Sequence, residues 1–401
     1  MSSIKDVARE AGVSTATVSH VINKTRFVSE EVRARVLEAV GRCGYYPNAH
    51  ARSLASGRTH ILGLVVSDIS NPFFPELVKS IEAAAFERGY DLMLSNTNYD
   101  PERTSHYVRR FIERKVTGVV VMTSELDAAL IGELARREVS VVFLDLGQPG
   151  VHMSNLRVNY ESGIEEAILH LAALGHTEIS FVSGPAHLRS AQRRNEAFRN
   201  SMRRHLHDTR ALVYRGDFKL EGGRRAAREI LEARERPTAV MAANDLMALG
   251  AMVEFQAAGL DVPRDISVVG FDDIAFASLA EPHLTTICLP RVELGRRAVE
   301  ALMTTIEHPD QPGVEINLPT YLVVRNSTAP ARAPASSDGH ARRPADAKAV
   351  HDGSRAASDG GRQAPDGKRA AERRDGAKQQ QHAGTKQHAA ARPARKGKEK
   401  R

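Results

Sequence analysis

Nine residues near the N-terminus combine an apolar stripe with an opposite face of hydroxyl, amide and imidazole side chains. Residues 15–23 read TATVSHVIN, in which Val18, Val21 and Ile22 recur at the spacing of one helical face. The opposite face carries Thr15, Ala16, Ser19, His20 and Asn23. Hydroxyls can bond phosphates or base edges, a methyl group can contact thymine, and Asn or His can address base acceptors. The pattern favours a DNA-reading helix, and its alternative is a helical hairpin with a polar outer face.

The flanking residues predict two short helices joined by a tight turn. Apolar residues recur at the i, i+3, i+4 and i+7 positions of a helix from Ile4 to Ala11. Gly12 can leave the helix without steric penalty, and Ser14 is well placed to cap a second helix from Thr15 to Asn23. This arrangement predicts a helix-turn-helix, which lays its second helix in the DNA major groove.

A third helix is expected between Ser29 and Gly44. Ser29 is placed to cap it, and Glu30 and Glu31 fall in its first turn, where the positive end of the helix dipole favours carboxylates. Gly44 is suited to end it. The expected buried face consists of Val32, Val36, Leu37 and Val40.

A very short helix is predicted after the third one. Pro47 and Asn48 give a new capping signal, but only residues 49–55 follow as a helical segment. A helix of this length is not stable alone in water, so it needs a partner on which to form. Leu54 would offer an apolar tip of the kind that wedges into minor-groove base steps.

These motifs together resemble the headpiece and hinge of the lactose and galactose repressor family of bacterial regulators. The run TVSHVINKTRFV, then Tyr45, Pro47 and the run ARSL, most closely resembles the purine-repressor branch. The resemblance continues to about residue 328, roughly four fifths of the chain. The candidate DNA-contacting residues are Thr15, Ala16, Thr17, Ser19, His20, Asn23, Arg26, Arg52 and Leu54. The resemblance implies a homodimer that binds a palindromic double-stranded operator.

Composition limits the classes of protein to consider. The 401 residues suffice for two or three domains, and no run of about 18 apolar residues predicts a membrane span. The N-terminus lacks a charged-then-apolar leader, so we expect a cytoplasmic, nucleoid-associated protein. Cys43 and Cys288 have no His or Cys neighbours at ligand spacing, so neither a metal site nor a disulfide is expected.

The net charge of +7 is concentrated at the two ends of the chain. Residues 331–401 carry 18 Lys and Arg against 8 Asp and Glu, while residues 61–330 are net acidic. The same C-terminal segment contains one Val and no Leu, Ile, Phe, Tyr or Met. We therefore expect a disordered basic tail, either an inert extension or an arm that adds affinity for DNA.

Strands and helices are predicted to alternate from residue 61 onward. Short apolar runs predict strands over 61–67, 91–95, 118–122, 140–145, 179–183, 212–215, 239–242, 266–270 and 284–288. Helices are predicted from Asn71-Pro72 and over 102–115, 128–137, 161–174, 192–204, 246–259 and 292–306. The rhythm restarts after residue 156, which predicts two α/β halves with a cleft between them.

The predicted fold class is α/β. An all-α helix-turn-helix headpiece would precede an effector domain whose two lobes, by the family resemblance, are similar to periplasmic sugar-binding proteins. The expected domains are 1–47 for the headpiece, 48–60 for the hinge, 61–328 for the effector-binding and dimerisation domain, and 329–401 for the tail.

Several polar or aromatic residues fall just past predicted strand ends, where ligands of parallel sheets bind. They include Asp145, Asn244-Asp245 and Asp272-Asp273. Each alone is compatible with a structural role as a cap, a turn residue or a core side chain, and only their common placement favours a site. The resemblance implies effector contacts at Phe73, Phe74, Ser190, Arg194, Phe218, Asn244 and Asp272.

The implied effector is a sugar, a nucleoside or a purine-like metabolite, and no cofactor is expected. The chain has neither the complete set of residues that contacts a sugar in this family nor the complete set that contacts a purine. Sugar-binding relatives often have Asp-Arg where this chain has Asp145-Leu146, and Gln in place of Leu289. The purine-binding pattern expects Arg in place of Leu188 and Asp near Asn159.

Three classes of function could use a cleft between two α/β halves. A ligand-responsive repressor accounts for the headpiece, the hinge and the cleft together. A solute receptor for transport would account for the cleft. Such a receptor needs a secretion signal, however, and it would have no use for a helix-turn-helix. An enzyme requires a nucleophile with its base, a metal set or a phosphate loop, and the sequence contains no GxxxxGK[ST], GxSxG or HExxH motif. The sequence therefore favours the repressor.

Overall fold

The computed structural model describes residues 2–46, 59–123, 126, 128–146, 148–207 and 211–332. Its first three helices have the predicted bounds, with α1 at Ile4–Ala11, α2 at Thr15–Asn23 and α3 at Glu30–Cys43. The Ser14 hydroxyl accepts the Thr17 N–H at 3.1 Å, which confirms the predicted cap. Gly12 and Gly44 have φ values of 65° and 56°, the left-handed region in which glycine avoids a steric cost.

The three helices share a small core. The prediction that Leu37 belongs to this core is wrong. Val7, Val18, Val21 and Val36 are buried there. Leu37, which we expected in the core, is 54% exposed. Along α3 the packed residues are Val32, Val36, Ala39, Val40 and Cys43, a helical stripe from which Leu37 is turned away by about 100°. The expected hinge helix over 49–55, with Arg52 and Leu54, lies outside the described residues.

The first lobe is built on a six-stranded parallel sheet in the order β2-β1-β3-β4-β5-β11, in which β11 is Glu315–Pro319 from the C-terminal part of the chain. Its elements are β1 Ile61–Val66, α4 Phe73–Phe86, β2 Asp91–Asn96, α5 Pro101–Glu113, β3 Gly118–Met122, α6 Ala128–Arg136, β4 Ser140–Leu144 and β5 Met153–Asn159. The central strands are almost continuous apolar runs because helices cover both faces of the sheet.

The second lobe repeats this topology in the order β7-β6-β8-β9-β10-β12, in which only β12, Tyr321–Val323, is antiparallel. Its elements are α7 Tyr160–Ala173, β6 Ile179–Ser183, α8 Arg189–His205, β7 Leu212–Arg215, α9 Leu220–Glu232, β8 Ala239–Ala242, α10 Asp245–Ala257, β9 Ser267–Asp272, a 3-10 turn Ala275–Ser278 and β10 Thr285–Cys288. The predicted two-lobed α/β architecture is confirmed.

The chain crosses between the lobes three times. It enters the second lobe between β5 and α7, and it returns after β10 to form α11 Arg291–Glu307 and β11 Glu315–Pro319 on the first lobe. It then crosses once more into β12 Tyr321–Val323. Thr320 connects two of these crossings, since its hydroxyl donates to the Asn159 carbonyl at 2.7 Å and accepts the Gly163 N–H at 3.1 Å.

The sequence did not predict β5, α9, β11, β12 or the 3-10 turn. In strand β5, the polar residues Ser154, Asn155 and Arg157 interrupt the apolar residues. The sequence therefore does not show the apolar run that is typical of a buried strand. Helix α9 contains two glycines, which lower helix propensity. Gly223 is there because α10 packs closely against it, and a Cβ at this position would lie 2.0 Å from the Met247 carbonyl oxygen.

The C-terminal segment stays attached to the second lobe past the expected boundary at residue 328. The Ala331 N–H donates to the Leu174 carbonyl at 2.8 Å, and Arg332 pairs with Asp265 at 2.9 Å. Most of the expected tail, residues 333–401, lies outside the described residues. Among the helices that the structure describes, none is long and apolar enough to cross a membrane.

Candidate functional site

The carboxyl ends of the strands in both lobes face a cavity of about 650 Å³, which includes some space open to solvent. All seven residues expected to contact an effector line it: Phe73, Phe74, Ser190, Arg194, Phe218, Asn244 and Asp272. The two lobes therefore bring together side chains that are distant in sequence.

The other lining residues lie outside the seven implied effector contacts, although Asp145 was among the candidates at predicted strand ends. They are Ser67, Asn71, Tyr99, Met122, Thr123, Leu144, Asp145, Tyr160 and Leu289. Three of them directly follow strands: Ser67 follows β1, Thr123 follows β3 and Leu289 follows β10. The rule that ligands bind beyond the carboxyl ends of parallel strands, called here the strand-end rule, could therefore have identified them. Tyr160 was missed because it follows β5, the strand that the sequence concealed.

Arg194 and Asp272 form the charged centre of the cavity. Arg194 Nη2 donates to Asp272 Oδ1 at 3.2 Å, and Nη1 donates to the Ala243 carbonyl. Both residues are buried, with 7% and 4% exposure. Arg194 Nε is also buried, and it has no hydrogen-bond partner. A buried donor without a partner is costly, so this N–H is suited to bind an incoming acceptor.

Aromatic rings surround the Arg194 guanidinium. Its central carbon lies 4.0 Å from the Phe271 ring centroid, 5.3 Å from that of Tyr160 and 5.7 Å from that of Phe218. These contacts hold the guanidinium in place through cation–π attraction. From the first lobe, the rings of Phe73 and Phe74 meet edge to face at a centroid distance of 5.2 Å. The rings would pack against the faces of a bound ring compound.

Asn244 holds the adjacent wall in place. Its side-chain oxygen caps α10 by accepting the Met247 N–H at 3.0 Å, and its side-chain nitrogen donates to the Phe218 carbonyl at 2.9 Å. Phe218 has a φ of 63°, an uncommon conformation for a bulky residue, which this bond helps to fix. Asn244 therefore both caps α10 and lines the cavity.

Burial alters the acid–base behaviour of the carboxylates behind the cavity. Desolvation raises the pKa of Asp272 to about 6, although the charges of Arg194 and Arg291 oppose the rise. Asp245 lies deeper, and burial followed by the charge of Asp272 raises its pKa well above the usual range. Its carboxylate accepts the Thr286 hydroxyl and the Ile274 N–H, which is a structural role.

Asp145 bonds to groups from several elements at the edge of the cavity. Its Oδ1 accepts the Val158 N–H at 3.0 Å and a guanidinium N–H of Arg193, while Oδ2 accepts the Tyr160 hydroxyl at 2.8 Å. Arg193 belongs to α8 of the second lobe, whereas Asp145 follows β4 of the first. This cluster therefore connects the two lobes.

The second helix presents the predicted polar face. Thr15, Ala16, Asn23 and Arg26 are exposed, and Thr17, Ser19 and His20 are half-buried. His20 Nδ1 lies 2.8 Å from the Thr25 hydroxyl, and the side-chain nitrogen of Asn23 donates to the Ser19 hydroxyl at 3.2 Å. These bonds fix the orientation of the polar side chains in the absence of a partner molecule.

Two exposed aromatic residues of the N-terminal segment, Phe27 and Tyr46, were not predicted. Their exposed fractions are 95% and 89%.

The described residues contain no group of His, Cys, Asp and Glu side chains that could hold a metal ion. Cys43 and Cys288 are free thiols.

Comparison with known proteins matched two family models. The model described as bacterial regulatory proteins, lacI family, matches residues 3–48, and the one described as a periplasmic binding protein-like domain matches residues 168–328. The HTH-type transcriptional repressor PurR of Aliivibrio fischeri (strain ATCC 700601 / ES114) is 39% identical over 331 residues, covering 82% of this chain and 98% of the relative. The ribose operon repressor of Escherichia coli (strain K12) is 38% identical over 330 residues, covering 82% and 100%.

Solved structures agree with these relatives. The lac repressor dimer bound to operator and the anti-inducer ONPF superposes with a TM-score of 0.74 at 30% identity, covering 82% of this chain and 99% of that one. A LacI family transcriptional regulator from Enterococcus faecium with bound ribose gives a TM-score of 0.62 at 29% identity, covering 68% and 100%.

Proposed function

This chain belongs to the lacI family of bacterial regulatory proteins, and from that premise we propose how its parts act together. The chain is a DNA-binding transcriptional regulator that binds its operator as a homodimer. A small molecule bound between the lobes sets its affinity for the operator. The observation that carries this function is the presence, in one chain, of a helix-turn-helix with an exposed polar face and a cavity built around the Arg194–Asp272 pair.

The regulator acts as a repressor, as the relatives named PurR and ribose operon repressor do. Thr15, Ala16, Thr17, Ser19, His20, Asn23 and Arg26 contact DNA, together with Arg52 and Leu54 of the hinge. The domain limits follow the sequence, with a headpiece over 1–47, a hinge over 48–60 and an effector-binding and dimerisation domain from residue 61. Such a protein acts in the cytoplasm, at the nucleoid.

The effector is a sugar, a nucleoside or a purine-like metabolite. Arg194 and Asp272 bond its polar edge, Ser190 supplies a hydroxyl, and Asn244 fixes the wall beside it. Phe73, Phe74 and Phe218 pack on its faces. Because both lobes supply contacts, ligand binding favours one angle between them. A ligand shifts a conformational equilibrium only by its different affinities for the two states, and here the lobe angle is the quantity that changes.

Selection of DNA from a random library tests the DNA-binding half of this proposal. The expected site is an inverted repeat of about 16 base pairs, because the two headpieces of a symmetric dimer read equivalent half-sites. An asymmetric selected site would contradict the dimer.

A thermal-shift screen tests the effector half. Sugars, nucleosides and purines are added to the full-length protein, because a ligand that binds the folded state raises its unfolding temperature by mass action. A compound that stabilises the wild type but not the Arg194→Ala variant would support the cleft site. Arg199→Ala is the matched control, since Arg199 is exposed on the same helix. Equal stabilisation of wild type and Arg194→Ala would contradict the site.

A further inference from the structure

Arg291 lies behind the cleft cavity and, among the described residues, outside its lining. It begins α11, the helix that returns to the first lobe. The Ser80 hydroxyl of α4 donates to the Val292 carbonyl at 2.9 Å, and a Cβ on Gly295 would lie 2.5 Å from that hydroxyl oxygen. Because the two helices approach so closely, the start of α11 is fixed to the first lobe.

The Arg291 side chain extends from this position into the second lobe. Its Nη1 donates to the Asp272 carbonyl, and its Nη2 donates to the Asp273 carbonyl at 2.6 Å. On the first lobe, its Nε donates to the Glu76 carboxylate of α4 at 2.8 Å. The side chain is largely buried, and a guanidinium presents its donors in a rigid planar fork. One group therefore links the position of α4 to the end of β9.

The two carbonyls belong to a backbone segment that needs external support. Asp272 and Asp273 have φ values of 113° and 55°, a range that residues other than glycine rarely adopt. Such conformations persist only where the surrounding structure fixes them. Arg291 bonds both residues, and Arg325 pairs with the Asp273 carboxylate at 2.6 Å. The direction of the Asp272 side chain, which meets Arg194 at the cavity, therefore depends on Arg291.

From these contacts we propose that Arg291 is a positioning residue, which couples the angle between the lobes to the effector contact made by Asp272. A change in that angle moves Arg291 away from the two carbonyls, so the backbone relaxes and the Asp272 carboxylate leaves its place beside Arg194. Conversely, an effector that bonds the correctly placed carboxylate favours the arrangement in which Arg291 reaches the second lobe. The inference rests on the proposed function and identifies a connection from its cavity to the first lobe.

The charge of Arg291 gives this role a signature that does not depend on an effector. The charged groups that act on the Asp272 carboxyl come from three helices, with Arg194 on α8, Asp245 on α10 and Arg291 on α11. Burial raises the pKa of Asp272 to about 6, and the charges of Arg194 and Arg291 both oppose the rise. Loss of the Arg291 charge should therefore raise this pKa further.

A first test uses the full-length protein without any ligand. The unfolding free energies of wild type and Arg291→Gln are each compared with those of the same protein carrying Asp272→Asn, by denaturant titration from about pH 4 to about pH 8. In wild type the difference falls as the pH rises through about 6, because the folded carboxyl holds its proton more strongly. In Arg291→Gln the fall should extend higher by about one pH unit or more.

Arg297→Gln is the matched control, because Arg297 is exposed on the same helix. A purely structural contribution of Arg291 would lower the unfolding free energy at every pH and leave the fall at its wild-type position. That result would overturn the inference.

A second test measures the coupling itself. The compound identified by the thermal-shift screen is titrated into the full-length protein, both free and bound to the operator found by DNA selection. The ratio of the two dissociation constants is the coupling between the sites, about 5- to 150-fold in wild type. Arg291→Lys keeps the charge but loses the fork, and Glu76→Gln weakens the anchor on α4. Both should reduce the ratio at least about threefold.

Damage confined to the cavity would weaken compound binding by the same factor on and off the operator, so it would leave this ratio unchanged. A wild-type ratio in both Arg291→Lys and Glu76→Gln would overturn the inference and leave the cleft function intact. If no screened compound binds wild type, or if the operator does not alter its affinity, the proposed function itself fails, and the inference fails with it. The two milder variants decide the result if Arg291→Gln does not fold.

Discussion

Arg193 of the second lobe donates a hydrogen bond to Asp145 of the first lobe, across the edge of the cleft. Its other terminal nitrogen donates to the Val158 carbonyl at 3.2 Å, also on the first lobe. The Tyr160 ring lies below the guanidinium, 5.0 Å from its central carbon. Two hydrogen bonds of one side chain thus join the two lobes, so they favour the lobe arrangement that the structure has.

The first prediction concerns this connection. Arg193→Ala should weaken effector binding about 10- to 100-fold, because it removes charge-assisted hydrogen bonds worth roughly 1.5–3 kcal/mol between the lobes. The dissociation constant, measured by calorimetry, reports the effect, and Arg199→Ala on the same helix is the control. If the two variants bind the effector equally well, the Arg193–Asp145 pair does not hold the lobes together.

The second prediction concerns pH. The pKa of Asp272 is about 6 in the folded chain against an ordinary value of 3.8, so the folded state holds a proton more strongly. The stability that this proton confers is fully present below pH 3.8 and is lost as the pH rises through about 6. The unfolding free energy of wild type relative to Asp272→Asn should therefore fall between pH 4 and pH 7. Denaturant titrations of both proteins across this range would measure the difference, and a constant difference would contradict the raised pKa.

The third prediction compares two capping serines in the N-terminal helices. Ser14 makes a side-chain cap bond to Thr17, whereas Ser29 precedes α3 without one. Ser14→Ala should cost roughly 1 kcal/mol of helix stability, and Ser29→Ala should cost less. Hydrogen exchange of the amides of α2 and α3 would report each loss separately. Equal losses would mean that the Ser14 bond contributes nothing.

Local patterns were sufficient to predict most, but not all, of the regular elements of the fold. The bounds of α1, α2, β3, β6 and β8 follow from apolar periodicity, capping residues and glycines within a few positions. The sequence failed where tertiary packing overrides local preference. Gly222 and Gly223 lower the helix propensity of α9, yet the helix includes both. A Cβ at Gly223 would collide with the Met247 backbone of α10, and a Cβ at Gly222 would collide with Asp217.

The cavity was only partly predictable for a different reason. The strand-end rule locates Arg194 and Asp272 near a ligand, but they are 78 residues apart, and no local pattern shows that they pair. Nor does the sequence show that Asp145 bonds to Arg193 of the other lobe, since this depends on where the chain crosses between lobes. The balance of charge in the cavity therefore emerges only from the folded structure.

The fourth prediction concerns the tail. If the basic segment contacts DNA, truncation after Arg332 should leave operator preference unchanged and weaken binding to random DNA. Each phosphate contact that is lost flattens the salt dependence by about 0.9 in log–log slope, so a change of a few units is expected. Truncation at this point retains the Arg332–Asp265 pair on the second lobe. Equal salt slopes for the two proteins would mean that the tail is an inert extension.

The most direct test of the central claim is the operator affinity of the full-length protein with and without the cleft ligand, measured for wild type and Arg194→Ala. We predict that the compound identified by the thermal-shift screen changes the operator dissociation constant of wild type by about 5- to 150-fold, the usual range of coupling between sites. The Arg194→Ala variant should bind the operator normally in the absence of the compound and show no response to it. An unchanged operator affinity of wild type at saturating compound, or an equal response in the variant, would contradict the account.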